Sequence, residues 1–94
     1  MIGIKNMSMN SIGHTHFSKK DALAEQQARE NRQYLLSKAQ CLGNLFHQPV
    51  NIVYQADNGE IQQVESVVWS VLEDYMQVTG GYIIPVHAVL AVEL

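Results

Sequence analysis

The chain has no lysine or arginine between residues 39 and 94. Holding phosphate requires cations that displace condensed counterions, so this stretch has no side-chain charge with which to grip DNA or RNA. Cysteine occurs once, at Cys41, which excludes an internal disulfide framework and a cysteine-based zinc knuckle. Without a His or Asp pattern beside it, Cys41 is expected to be a small buried hydrophobe. No apolar run approaches the roughly 18 residues of a membrane span, and Met1 to Phe17 lacks a basic-then-apolar leader. A soluble, cytoplasmic protein is therefore expected. Gly80-Gly81 stands without a Lys-Ser/Thr pair or a following helix, so no phosphate-cradling loop is present. Glu73 and Asp74 are adjacent, and neighbouring strand residues point to opposite faces, so they cannot flank one scissile bond. An enzyme is not expected. His14 and His16 have a spacing that can chelate, with His47 or His87 as further ligands, but no carboxylate or thiol completes a set. No metal and no cofactor is expected, and His87 reads as a structural histidine.

What is present describes one small domain. Ninety-four residues, 47% apolar and 16% charged, are too hydrophobic for a disordered chain. The charge is bipolar. All six Lys and Arg lie in residues 1–38 with three acids, a balance of plus 3; residues 39–94 hold six acids, a balance of minus 6.

Three segments follow along the chain. Residues 1–17 mix Met, Asn, Ser, Gly and His without period and read as a flexible arm or an edge strand. Ser18 with Asp21 has the spacing of a capping box, so a helix is expected over 18–43, closed by Gly43 and Asn44. Its apolar stripe is Ala28, Leu35, Ala39 and Leu42, widened by Leu36 and Tyr34. The second half should pack, and the first half should project into solvent or another subunit. Residues 44–94 switch to period two, with Val50, Ile52, Tyr54 and Ala56 alternating, and Asp57-Asn58-Gly59-Glu60 marks a hairpin turn. Residues 64–76 are ambiguous. Val64, Val67, Val68, Val71, Leu72, Tyr75 and Met76 have helical spacing, yet the valines, Trp69 and serines favour strand. As a strand, the apolar phase slips between Val64 and Val67, as at a bulge. Short strands at 75–78, 82–85 and 90–94 complete the count. The expected fold is mainly β: a long N-terminal helix followed by a strongly bent, five-stranded barrel, with an α+β fold carrying a helix at 64–76 as the alternative. Tyr54, Trp69, Tyr75 and Tyr82 are expected to pack in the core or across strands.

The helix, then NIVYQADNGEI, VVWSVLEDYMQV, a Gly-Gly turn and IIPVHAVLAVEL, resembles the Sm-like small barrels, and among them the Rho-binding antiterminator (Rof-like) group. The resemblance covers residues 35 to 94. It implies a five-stranded bent sheet, with one branch of the family binding RNA as rings and an acidic branch binding the RNA-binding surface of a transcription termination factor. The RNA-binding residues of the rings do not transfer. Glu73, Asp74 and Gln77 occupy one of their loop regions, Ile83-Ile84-Pro85 the place of an Arg-Gly, and Val64 the place of the glycine that bends the second strand. The expected function is a small acidic regulatory module that binds a basic protein partner through Asp57, Glu60, Glu65, Glu73 and Asp74. The alternatives are an Sm-like RNA-binding module, touching phosphate through Lys19, Lys20, Arg29, Arg32 and Lys38, and a homo-oligomerising domain that associates through the helix.

Overall fold

The computed structural model describes residues 3–94. Seven strands in two sheets pack with one long helix, an α+β arrangement. β1 (Lys5–Asn6) and a single-turn helix α1 (Met9–Ile12) precede the long helix α2 (Gln26–Phe46). The strands β2 (Val50–Gln55), β3 (Ile61–Ser66), β4 (Val68–Val71), β5 (Tyr75–Val78), β6 (Ile83–Pro85) and β7 (Val89–Glu93) follow. One sheet has the order β1-β3-β2-β7, the other β4-β5-β6. They share a core that includes Leu36, Ile52, Tyr54, Val68, Met76 and Ile84.

Residues 64–76 run through the end of β3, all of β4 and the start of β5, with a turn at 72–74, and no helix forms there. β3 passes through Val67 into β4, so a nearly continuous segment leaves one sheet and enters the other. The phase slip lies later than the apolar pattern suggests. Gln62, Val64, Ser66 and Val68 all turn inward, and the register shifts between Val68 and Ser70, beside Trp69. Two polar residues, Gln62 and Ser66, occupy core positions and break the apolar signal.

The expected closed barrel is absent among the described residues, since β6 and β7 do not pair, and with a 21-residue helix the fold is not mainly β. β6 has three residues and ends in Pro85, which has no N–H to donate to a second neighbour. The chain then turns through a 3-10 segment, Val86–Ala88, and enters β7 beside β2.

The helix starts seven residues later than the capping-box spacing implies. Residues 18–22 bond to the sheet instead: Ser18 donates to the Gln55 carbonyl at 3.1 Å, and Ala22 donates to the His87 carbonyl at 2.8 Å. The Ser18 hydroxyl donates to Lys20 O, and Asp21 Oδ1 accepts from the Leu23 amide, so neither caps a helix at Lys19. Tertiary bonds outweigh the local preference of this short stretch. The first few residues therefore lie on the body instead of forming helix, while Gln26–Glu30 are helical and, Ala28 apart, exposed.

At its other end α2 passes through Gly43 and Asn44 and stops at His47, whose φ of 51° is left-handed; the His47 N–H donates to the Gly43 carbonyl and the Gln48 N–H to the Leu42 carbonyl. Gly43 is a contact residue, not a cap. A Cβ there would lie 2.1 Å from the Val68 carbonyl oxygen, so only glycine lets α2 approach β4 this closely. The buried stripe is Arg32, Leu36, Ala39 and Gly43, while Leu35 and Leu42 are half-buried and Cys41 is exposed, contrary to its expected burial.

Candidate functional site

The five carboxylates do not form one patch. Asp57 and Glu60 flank the β2–β3 turn, and Glu73 and Asp74 form the β4–β5 turn. Each turn separately meets the stretch around Val86. Asp74 O accepts from the Val86 amide at 3.0 Å, and Pro85 and His87 share with Asp57 the wall of a depression of about 440 Å³. Glu65 lies elsewhere. It sits across from Asn51 on the outer face of the four-stranded sheet, with Glu93 on the other side of Asn51. That face carries an amide ladder, in which Gln63 Nε2 donates to Asn6 Oδ1 and Asn51 Nδ2 donates to Gln63 Oε1 at 2.8 Å.

The arm brings cations to the first pair of acids. Lys5 Nζ lies 4.0 Å from Glu60 Oε1, and Lys19 and Lys20 border a depression with Asp57. An exposed pair at that distance contributes little energy, but the local charge around Asp57 and Glu60 is balanced. Glu73 and Asp74 are different. They are exposed, and among the described residues neither makes an ion pair.

The helix cations are largely occupied. Arg32, only 7% exposed, makes a bidentate pair with Asp21 at 2.9 and 3.0 Å and donates to the Val89 carbonyl at 3.1 Å. Arg29 Nε donates to Leu23 O at 2.8 Å and lies 3.4 Å from Asp21 Oδ2. The hydrogen bond from Arg32 is the largest influence holding the Asp21 carboxyl below its ordinary 3.8, against the opposing cost of burial. Lys38 sits 5.2 Å from the centre of the Tyr34 ring. His87 Nε2 lies 2.6 Å from the Ser18 carbonyl oxygen, and only a protonated ring nitrogen can bond there, so its tautomer is set and it serves as a strut.

Tyr54, Thr15 and Gln62, three polar side chains without a charged role, also meet near the arm. Tyr54 is fully buried, with the Phe17 ring 5.3 Å away. Burial pushes its hydroxyl up to about 12, with nearby Thr15 opposing and the Glu60 charge adding to the shift. The Thr15 hydroxyl donates to Ser11 O at 2.8 Å and does not complete a hydrogen bond to Tyr54. Gln62 Nε2 donates to Glu60 Oε1 at 2.6 Å, which fixes the amide and leaves Gln62 Oε1 without a protein partner. His14 and His16 border the neighbouring depression of about 320 Å³. Among the described residues no three His, Cys, Asp or Glu converge as metal ligands.

The sequence reading missed the outer face of β4, β5 and β6. Trp69 and Tyr75, expected to pack inside or across strands, stand outward with Ile83, and Leu72 is exposed in the turn beside Glu73 and Asp74. The signal was the strict inward alternation of Met76, Val78 and Ile84, which sends Tyr75, Gln77 and Ile83 the other way. No helix among the described residues is long and apolar enough to cross a membrane. Comparison with protein-family models, curated proteins and solved structures finds no match to this chain.

Proposed function

We propose that this chain is a small acidic protein-binding module that regulates a basic, nucleic-acid-binding partner, in the manner of the Rho-binding antiterminators among Sm-like barrels. The observation that carries the reading is electrostatic. Residues 39–94 form six of the seven strands with six carboxylates and no lysine or arginine, and Glu73 and Asp74 project without an ion pair among the described residues. Strand order supports the Sm-like part. With β1 set aside and β3 and β4 taken as halves of one bent strand, the two sheets read β7-β2-β3/β4-β5-β6 after a helix, the strand order that the resemblance implies. The exposed single thiol of Cys41 fits a reducing, cytoplasmic setting. The role is binding, not catalysis.

RNA binding through the helix is disfavoured by the same geometry, since Asp21 engages both Arg29 and Arg32. Self-association through α2 has one observation in its favour: Tyr34, Leu45 and Phe46 are all more than half exposed. A concentration series in the analytical ultracentrifuge tests it directly.

The test of the main reading is capture from a cell lysate eluted in salt steps. Wild type should retain basic proteins that leave as salt rises. The variant with Asp57, Glu60, Glu65, Glu73 and Asp74 changed to their amides should retain few. Equal capture by both proteins would contradict the proposal.

A further inference from the structure

We infer that the outer face of β4, β5 and β6 is the docking surface for an extended protein segment that carries arginine beside apolar side chains. The inference rests on the acidic-module reading and adds which surface binds and what it recognises.

The pleat creates the face. Val68, Met76, Val78 and Ile84 are fully buried, so the alternate residues turn outward: Trp69, Tyr75 and Ile83 are 38, 42 and 44% exposed. Leu72, in the adjoining turn, is 48% exposed. Single exposed apolar residues are ordinary, but four large ones around the outward Gln77 on a three-stranded sheet make a patch of the kind that marks contact surfaces. Trp69 is held outward at the register shift, with the His47 ring edge-on at 5.2 Å. His47 itself keeps a left-handed backbone.

Charge selects the occupant. Glu73 and Asp74 border the patch, and no lysine or arginine between residues 39 and 94 offsets them. A guanidinium pairs with carboxylates and also lies flat on aromatic rings, so the Tyr75 ring next to two acids, with the Trp69 ring farther along the same face, suits arginine better than any neutral partner. A second copy of this chain would bring a matching acidic border against this one and be repelled.

The edges direct binding to the face. Helix α2 covers the free edge of β4, where the Val71 amide donates to Gln40 Oε1 at 3.1 Å and Gly43 meets the Val68 carbonyl. At the other edge Pro85 offers no N–H, so a long added strand cannot be supported by β6.

Trp69 is the only tryptophan, so its fluorescence reports on this surface alone. The probe is a short synthetic peptide of alternating arginine and leucine, titrated into the full chain. A saturable change in emission is expected. Glu73→Gln with Asp74→Asn, and separately Tyr75→Ser, should each weaken binding about tenfold or more, while Asp57→Asn with Glu60→Gln should change it little. Circular dichroism checks that each variant folds. Binding that is lost in the Asp57/Glu60 variant and untouched by Tyr75→Ser would overturn this face and leave the acidic-module reading standing. So would an absence of peptide binding by a protein that still shows salt-dependent capture of basic partners. A concentration-dependent Trp69 change without peptide would assign the face to a second copy. The same change with an RNA oligonucleotide would overturn both inferences.

Discussion

Asp21 and Arg32 tie three pieces of chain together: the segment before the helix, the helix itself, and β7 through Val89. Turning the carboxylate into an amide leaves the buried Arg32 without its counter-charge and breaks the bidentate pair, so Asp21→Asn should lower stability by about 2 kcal/mol in urea unfolding. Because the folded carboxyl titrates below its usual 3.8, its contribution is present above that value and disappears as pH falls through the folded value. Wild type and Asp21→Asn should therefore converge in stability in strong acid and differ fully near neutrality. Tyr54 has the opposite sense. Its hydroxyl is buried without a partner and raised from 10.0 to about 12, so it stays protonated when folded and ionises first when unfolded. Stability should fall between about pH 10 and 12. Tyr54→Phe should flatten that fall and be neutral or stabilising by up to about 1 kcal/mol near pH 7, as measured by thermal unfolding. Neither residue's environment was legible in sequence. The partner of Asp21 is eleven positions away on another element, and Tyr54 is one member of an alternating strand whose neighbours give no sign of Thr15 or Phe17.

The elements were readable where periodicity and residue type agreed. Val50 to Gln55 and the Asp57–Glu60 turn follow from alternation and turn residues, whereas at 64–76 the spacing points to helix and β-branching, which favours strand, prevails. The helix ends were not readable, because each depends on a tertiary contact: His87 and Gln55 hold residues 18–22 on the sheet, and Val68 needs the glycine at 43. The stripe shifted for a related reason, since an arginine begins it and a glycine ends it. Leu36→Ala should cost about 3 kcal/mol by emptying a fully buried site, whereas Cys41→Ala should stay within about 0.5 kcal/mol. Gly43→Ala should cost about 2 kcal/mol or more by forcing α2 away from β4. Denaturant midpoints for the three variants rank these effects. A Gly43→Ala protein as stable as wild type would show that the close approach of helix and strand is not required.

At the scale of the molecule, the asymmetry of charge along the chain becomes an asymmetry in space, but less sharply than a count suggests. Lys5, Lys19 and Lys20 fold back beside Asp57 and Glu60, while Glu73 and Asp74 remain uncompensated next to Trp69, Leu72 and Tyr75. The candidate acids were all visible in the sequence. Their division into a balanced pair, an unbalanced pair and the distant Glu65 was not, because it depends on where the arm lies. Charged contacts at a solvated border act mainly on encounter, so neutralising Glu73 and Asp74 should slow association with a basic partner more than it speeds dissociation, a difference that stopped-flow measurement resolves. The most direct measurement is the affinity of the full chain for the arginine-leucine peptide set against its affinity for a single-stranded RNA oligonucleotide, in the same buffer at physiological salt. Peptide binding that weakens as salt rises, with no RNA binding, is expected; tighter binding to RNA than to the peptide would overturn the assignment of an acidic protein-binding face.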